Sequence, residues 1–266
     1  MKAIIVCLLL LPVSVYCQLP GTQLIDSLLT GYYAQYKNYA TETKYKEFEG
    51  KLLEYLAGGI TLNDSLPALS KSISIAGSAD KQVKFYSCRD FSVTCRQYIV
   101  YAQYLTPEGK TKAERITPDV PLDEGMVGEE WVSKIYKVEE AKLDSIKHYI
   151  AFGTCCMSNR ADINTIQVFS LTPDKIKRCM TCLEGKSYIA LKYFKVASAV
   201  NEITEDVFKL QYEAAANEVL FNELKTDENG VAYRPGVFTG NRAKITLKKE
   251  PYKGALKVTL KEEKKK

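Results

Sequence analysis

Residues 147–156, KHYIAFGTCC, and residues 164–171, NTIQVFSL, are short runs of aromatic and β-branched residues that decide the fold class. Such runs, bounded by polar turn residues, are typical of β-strands. Four further runs of this kind are KQVKFYSC (81–88), CRQYIVYAQYL (95–105), EEWVSKIYKV (129–138) and KSYIALKYFKV (186–196). None of the connections between them has the helical pattern of a parallel βαβ crossover. The segment 81–200 therefore predicts an antiparallel β core that closes into a barrel or a sandwich.

The N-terminal segment, residues 18–80, predicts helices because apolar residues recur at the spacing of one helix face. The first stripe contains Ile25, Leu28, Leu29, Tyr32 and Tyr36, and the second contains Tyr45, Phe48, Leu52, Tyr55 and Leu56. Gly58-Gly59 is the expected end of the second helix. One alternative stays open at this point, because residues 31–40, GYYAQYKNYA, also alternate in the manner of a strand.

The C-terminal segment, residues 201–266, predicts one helix followed by a β-hairpin. Thr204 can cap a helix that runs to about Thr226. Its apolar stripe contains Val207, Leu210, Ala214, Phe221 and Leu224. Residues 241–266, NRAKITLKKEPYKGALKVTLKEEKKK, then alternate apolar and mostly basic residues in two stretches. An isolated hairpin is unstable in water, so its apolar face is expected to cover the core. The predicted fold is therefore α+β, with helices and hairpin packed on an antiparallel, barrel-like core as one domain.

The first residues have the features of a secretory signal peptide. A short apolar run follows the initial Met-Lys pair, and cleavage after Cys17 would start the mature chain at Gln18. Residues 1–17 are therefore predicted to be removed, and the protein is expected to be secreted and extracellular. No other stretch reaches roughly 18 apolar residues, so no transmembrane segment is predicted. In this compartment an Asn-Asp-Ser sequon predicts glycosylation at Asn63.

Removal of the signal peptide takes two of the eight cysteines and leaves an even set for disulfide bonds. The remaining cysteines are Cys88, Cys95, Cys155, Cys156, Cys179 and Cys182. Because neighbours in a strand point to opposite faces, Cys155 and Cys156 need different partners. We expect each of them to bond to one of Cys179 and Cys182, and Cys88 to bond to Cys95. The alternative is that Cys179-Met-Thr-Cys182 is a thioredoxin-like redox motif, which requires a βαβ setting that the strand pattern does not offer.

Few residues in the chain are suited to catalysis. His148 is the only histidine, and it lies inside an apolar strand, where a structural role is more common than a catalytic one. One histidine and a set of oxidised cysteines cannot supply the ligands of a zinc site. The sequence has no phosphate-binding glycine loop and no nucleophilic serine motif. We therefore predict no enzymatic activity, no metal and no cofactor. The net charge of +5 is too small to indicate nucleic-acid binding.

Two consecutive motifs lie in residues 148–176. Tyr149, Phe152 and Cys155 belong to an aromatic strand that ends on a cysteine, and VFSLTP (168–173) follows it and leads into DKIKRCMTCLEG. This block resembles the lipocalin (calycin) family, in which a Tyr-x-x-x-Tyr-x-Cys strand precedes a Val-Trp-x-Leu-Ser-Arg-Thr-Pro strand and a helix. The resemblance implies a barrel whose strands line a ligand cavity, with cysteines that tie the barrel to the helix.

The function that these expectations favour is extracellular binding and carriage of a small, mostly apolar ligand. In a barrel the inward-facing side chains line the cavity. The candidates for this lining are Tyr98, Val100, Trp131, Tyr136, Ile150, Phe152 and Phe169. The alternative is a disulfide-stapled protein that acts through its surface, as an inhibitor, matrix or storage component. The first function requires a small hydrophobic molecule, and the second requires a protein partner.

Overall fold

The computed structural model of the 266-residue chain describes residues 21–91, 97–116, 133–158, 161–194, 208–224, 238–251 and 256–258. The predicted signal peptide, Cys95 and Trp131 lie outside these ranges. Within them, two α-helices come first and three mostly antiparallel β-sheets follow, so the fold is α+β. No helix in the described ranges has both the length and the apolar character needed to cross a membrane.

The elements follow one another along the chain in three groups. The helices are α1 (Thr22–Asn38) and α2 (Glu42–Gly58), followed by a 3₁₀ turn at Leu69–Lys71. The first sheet contains β1 (Ser74–Gly77), β2 (Val83–Asp90), β3 (Gln97–Leu105) and β4 (Thr111–Arg115). The second sheet contains β5 (Lys134–Leu143), β6 (Ile146–Ser158), β7 (Ala161–Leu171), β8 (Ile176–Arg178) and β9 (Tyr188–Phe194). The third sheet contains β10 (Gln211–Glu213), β11 (Glu218–Leu224) and β12 (Phe238–Thr246), and a last strand, β13 (Leu256–Val258), pairs with β9 of the second sheet.

The apolar stripe of each helix faces the first sheet. The buried residues of the stripes are Ile25, Leu29, Tyr33 and Tyr36 in α1, and Phe48, Leu52 and Leu56 in α2. They pack against Tyr86, Cys88 and Tyr101 of the first sheet. Burying a large apolar side chain contributes roughly 1.5–3 kcal/mol, so tertiary packing more than helix propensity holds these helices in place. The predicted N-terminal helices are confirmed, and the strand alternative for residues 31–40 is wrong.

The sheets stack as layers, and the second sheet lies between the first and the third. Because successive residues of a strand point to opposite faces, β6 and β7 supply side chains to both neighbouring cores. The core shared with the first sheet contains Tyr149, Ala151 and Phe169 together with Val83, Phe85 and Tyr104. The core shared with the third sheet contains Ile150, Phe152 and Val168 together with Val219, Ile245 and Leu247.

The antiparallel core predicted for residues 81–200 is confirmed. Strands β2 to β9 lie within this segment, and all of the pairs found among them are antiparallel. The described strands form three separate sheets and no closed barrel. Closure into a barrel, which the lipocalin resemblance implies, is therefore not found in the part of the chain that the structure describes.

The predicted C-terminal helix is wrong over the residues that the structure describes. Residues 208–224 form β10, a turn and β11. The chain reverses because Asn217 adopts a left-handed conformation with a φ of 54°, which asparagine tolerates better than most residues. The Asn217 amide donates a hydrogen bond to the carbonyl of Leu247 at 2.9 Å, which fixes the turn to the end of β12. Val219 is then fully buried in the core with the second sheet.

The predicted C-terminal hairpin is wrong in its pairing, although both of its strands are present. β12 pairs with β11, whereas β13 runs parallel to β9, so the two strands belong to different sheets. A bridge between Leu183 and Lys248 directs the chain from β12 towards the second sheet. The predicted alternation is confirmed at the first strand, where Ile245 and Leu247 are buried while Lys244 and Lys248 are exposed.

Candidate functional site

Trp131 lies outside the described residues, and the other residues predicted to line one ligand cavity lie in different parts of the layered structure. Ile150 and Phe152 are fully buried between the second and third sheets, and Tyr136 packs beside them. Phe169 lies on the opposite face of the second sheet, in the core with the first. Tyr98 and Val100 belong to β3 of the first sheet. The predicted residues therefore do not share one cavity. The second sheet is covered on both faces, and its apolar side chains are divided between two cores.

A cleft of about 330 Å³ opens where the end of the β5–β6 hairpin meets the β10–β11 hairpin. Its lining residues come from these two hairpins and are Glu140, Ala141, Lys142, Lys147, Tyr212, Ala214 and Asn217. The lining combines apolar surface with charges of both signs. Sequence reasoning missed all of these residues, because the cleft exists only where two hairpins of different sheets come together.

Lys142 and Lys147 are placed opposite each other by the turn between β5 and β6. Asp144 and Ser145 have φ values of 50° and 65°, the left-handed pair that a two-residue type I′ hairpin turn requires. In the resulting register Lys142 and Lys147 are direct partners across the strands. Like charges in this position repel each other. Both lysines line the cleft together with the carboxylate of Glu140.

Lys147 is held in place by carboxylates of two different strand pairs. Its Nζ lies 2.7 Å from Asp80 Oδ2, in the β1–β2 turn, and 3.9 Å from Glu140 Oε2 in β5. Burial raises the pKa of Asp80, but hydrogen bonds from Lys147 and Ser78 outweigh burial, and the pKa falls below its ordinary value. Lys142 is exposed, and no ion pair to it is found among the described residues. Of the two lysines, Lys142 is therefore the one available to a ligand.

The opposite wall of the cleft is fixed by hydrogen bonds to the third sheet. Tyr212 OH donates to Asn217 Oδ1 at 2.8 Å, and Asn217 Nδ2 donates to the carbonyl of Leu247 at 2.9 Å. Burial raises the pKa of Tyr212, so its phenol stays neutral at physiological pH. Polar groups that are already fixed lose little freedom when a ligand binds. This wall is therefore preorganised.

A second candidate site contains the only histidine of the chain and a disulfide bond. Cys179 is bonded to Cys182, and their Cα atoms are 5.6 Å apart. A ring nitrogen of His148 and the two sulfur atoms all lie within 4.8 Å of one another. His148 and Cys182 are buried, and Cys179 is half-buried. The structure thus brings His148 next to the Cys179-Cys182 pair, which nothing in the sequence connects with it.

The predicted bonds from the Cys155-Cys156 pair to the Cys179-Cys182 pair are wrong. The backbone N–H of Cys179 donates to the carbonyl of Val168 at 2.7 Å, and Val168 is paired with Ile150 in β6. Cys155 lies five residues beyond Ile150 along the same strand. At about 3.4 Å per residue, Cys155 is roughly 17 Å along the strand from Ile150 and so from the level at which Cys179 joins β7. A disulfide needs Cα atoms within about 7 Å of each other.

Cys88 is a buried free thiol, so the predicted bond between Cys88 and Cys95 is wrong as well. The side chain of Cys88 packs in the core between the first sheet and the helices. Burial raises the pKa of Cys88, so the thiol stays protonated and unreactive. Its role in the described structure is packing.

His148 is a neutral imidazole with one nitrogen already engaged. Its Nδ1 lies 3.0 Å from the carbonyl of Ile146, and because a carbonyl only accepts, Nδ1 is the donor. In the neutral ring Nε2 then has a free lone pair. Burial lowers the pKa of His148 more than this hydrogen bond raises it, which keeps the ring uncharged at physiological pH.

The two candidate sites are neighbours in the second sheet. Ala141, which lines the cleft, is the strand partner of His148. The predicted glycosylation site, Asn63, lies elsewhere, exposed in the turn that follows α2. A scan against protein-family models and searches of curated proteins and of solved structures found no match for this chain.

Proposed function

We propose that this chain is a secreted, non-enzymatic protein that binds a small molecule in the cleft between the β5–β6 and β10–β11 hairpins. The observation that supports the proposal is the cleft itself, whose volume of about 330 Å³ falls in the range of small-molecule sites. Carriage of a small molecule is also the role that the lipocalin resemblance of residues 148–176 implies. The proposal differs in the place of the site, which is a cleft at the edges of two sheets instead of a barrel interior.

The chemistry of the lining favours a small amphipathic ligand with a negative charge. Lys147 belongs to an ion-paired network, whereas Lys142 offers an exposed ammonium group. The ring of Tyr212 and the methyl groups of Ala141 and Ala214 offer apolar contact. An anionic head beside Lys142 and an apolar body against the ring would use both kinds of surface.

Secretion and glycosylation are part of the same proposal. A bond between Cys179 and Cys182 agrees with an oxidising compartment. Asn63 is exposed in a turn, where an oligosaccharide transferase can reach its amide. We therefore expect the secreted chain to begin at Gln18 and to bear a glycan on Asn63.

The test uses the full-length protein, expressed in a secreting host and purified from the medium. Mass spectrometry of the native protein, before and after solvent extraction and enzymatic deglycosylation, reports its first residue, its glycan and any bound molecule. Binding is then titrated with 1-anilinonaphthalene-8-sulfonate, a fluorescent probe with an apolar body and a single negative charge. We expect saturable binding at one site per chain.

Two matched pairs of variants test whether the cleft is that site. Ala214→Trp fills the cleft, whereas Ala215→Trp places the same ring on an exposed residue of the same turn that does not line it. Lys142→Gln removes the free ammonium group, and Lys37→Gln on the exposed side of α1 is its control. We expect the first variant of each pair to lose about tenfold or more in affinity, equivalent to about 1.4 kcal/mol, and the second to bind normally. Equal binding in all four, with no bound molecule in the native protein, would reject the cleft and favour a function exerted through the surface.

A further inference from the structure

The cluster of His148, Cys179 and Cys182 has the donor atoms of a zinc site. The three ligand atoms lie within 4.8 Å of one another. In a tetrahedral site with Zn–S bonds of about 2.3 Å and Zn–N bonds of about 2.0 Å, neighbouring ligand atoms are roughly 3.3–3.8 Å apart. Small side-chain rotations, and an open S–S bond, would therefore bring the three atoms to zinc-binding distances.

The local sequence and the hydrogen bonding of the histidine also suit a metal. Two cysteines separated by two residues have the ligand spacing of many zinc sites. A histidine that binds a metal through one nitrogen usually donates a hydrogen bond from the other, which fixes the orientation of its ring. His148 already does so, because Nδ1 donates to the carbonyl of Ile146 and leaves Nε2 available.

We infer that His148, Cys179 and Cys182 form a zinc-binding site that the Cys179–Cys182 disulfide closes. In the oxidised protein the two sulfur atoms are bonded to each other and cannot both become thiolate ligands. The reductant that opens the site is a dithiol. Two electrons and two protons pass from it to the disulfide, the S–S bond breaks, and the dithiol becomes a cyclic disulfide. Zinc binding then displaces the two thiol protons to solvent.

The opened site holds the ion by two thiolates and one imidazole, with a water molecule as the fourth ligand. Cys179 is only half-buried, so the ion and this water have a way in from solvent, whereas His148 and Cys182 lie deeper. The inference concerns different residues from the proposed ligand cleft and does not rest on it. It replaces the expectation that all of the cysteines are oxidised and that the chain therefore has no metal site.

Cobalt(II) is the probe for the test, because it occupies zinc–thiolate sites and gives a sulfur-to-metal absorption band. The full-length oxidised protein is compared with the same protein after reduction by a phosphine, which is removed anaerobically before titration. We expect the reduced protein to develop the band with one equivalent of cobalt and to lose it when zinc is added. The oxidised protein is expected to develop no band.

Variants separate this site from the other thiols of the chain. Cys179→Ser is expected to abolish the band, and His148→Gln to weaken cobalt binding more than about tenfold. A Cys155→Ser/Cys156→Ser double variant is the matched control and is expected to keep the band, since those residues lie far along β6. Circular dichroism reports whether each sample is folded. A band that survives Cys179→Ser would overturn the inference. So would a folded reduced protein without a band, or a reduced protein that unfolds and does not refold with zinc.

Discussion

Gly153 in β6 occupies a position where a larger residue does not fit. A Cβ atom at this residue would lie 2.5 Å from Thr165 Oγ1 and 2.7 Å from Ser133 Cβ. Both neighbours are buried, so neither can move aside without disturbing the packing between sheets. We expect Gly153→Ala to lower the free energy of unfolding by about 1–3 kcal/mol, the usual cost of overpacking. Chemical denaturation monitored by circular dichroism measures this loss.

Gly77→Ala is the matched control for Gly153→Ala. Gly77 also lies in a strand, but the nearest atoms to a Cβ there are 3.7 Å away, which is ordinary contact. We expect this variant to be as stable as the parent protein or slightly more stable, because alanine restricts the unfolded chain. Equal losses in the two variants would contradict the close approach at Gly153.

The cysteines show the limit of prediction at the scale of single residues. The even count of cysteines and the opposite orientation of neighbouring strand residues argue only against a bond between Cys155 and Cys156, and they do not say which cysteine each of them would bond to. The choice of partners depends on distance along β6, which is set by the register of β6 with β7 and by the point where Cys179 joins β7. Register is a tertiary property, so cysteine spacing alone could not reveal that Cys179 lies close to His148.

The two faces of β12 have different energetic roles. Ile245 is buried in the core between the second and third sheets, whereas Lys244 is exposed and pairs with Glu218 at 2.8 Å. We expect Ile245→Ala to cost about 2–5 kcal/mol, because it removes buried methyl groups and leaves a cavity. Lys244→Ala removes only a surface ion pair and is expected to cost less than about 1 kcal/mol. Urea denaturation of both variants measures the difference, and similar costs would mean that β12 does not cover the second sheet.

Prediction at the scale of elements succeeded for the helices at the start of the chain and failed after residue 200. α1 and α2 have long apolar stripes at a helical spacing, and the first sheet covers those stripes, so local pattern and tertiary packing agree. Leu210, Ala214 and Phe221 also fit a helical stripe, but the left-handed Asn217 between them reverses the chain. The hydrogen bond from Asn217 to Leu247 connects residues 30 apart, and no local pattern can reveal it.

Asp80 joins two sheets of the molecule and makes the stability of the whole fold depend on pH. Its carboxylate lies in the β1–β2 turn and accepts hydrogen bonds from Lys147 and Tyr149 of the second sheet. Burial raises the pKa of Asp80, but these bonds and the one from Ser78 bring it below its ordinary value of 3.8. A lowered pKa means that the carboxylate stabilises the fold above pH 3.8 and that this contribution is lost as the pH falls through the pKa of the folded state.

We therefore expect Asp80→Asn to lower the free energy of unfolding at neutral pH by about 1–3 kcal/mol. The difference from the parent protein should shrink as the pH falls below the ordinary carboxyl range, because both proteins then have a neutral side chain. Denaturation series across acidic and neutral pH measure this. A Lys147→Gln variant and the Asp80→Asn/Lys147→Gln double variant form the control. Because the two side chains act through one ion pair, the double variant should lose less stability than the sum of the two single losses. A difference that stays constant with pH would refute the role of the Asp80 charge.

Prediction at the scale of the whole molecule reached the fold class and missed the arrangement of the sheets. The KHYIAFG run contains apolar residues on both of its faces, with Tyr149 and Ala151 on one and Ile150 and Phe152 on the other. A strand of this kind is typical of a sheet covered on both sides. That signal was present in the sequence and favours stacked layers over a barrel with an open interior. The cleft could not be predicted, because it depends on how two hairpins of different sheets meet.

The order of the layers has a consequence for the synthesis of the protein. The helices and the first sheet precede the second sheet along the chain. The first sheet, which packs on one face of the second sheet, is therefore synthesised before the second sheet. The other face waits for residues 208–247, which a ribosome adding about 5–20 residues per second delivers roughly 3–10 seconds later. Hairpins form in about 1–10 microseconds. During synthesis the side chains of Ile150, Phe152 and Val168 are therefore exposed for about a million times longer than their own strands need to pair. In that interval they can contact other nascent chains.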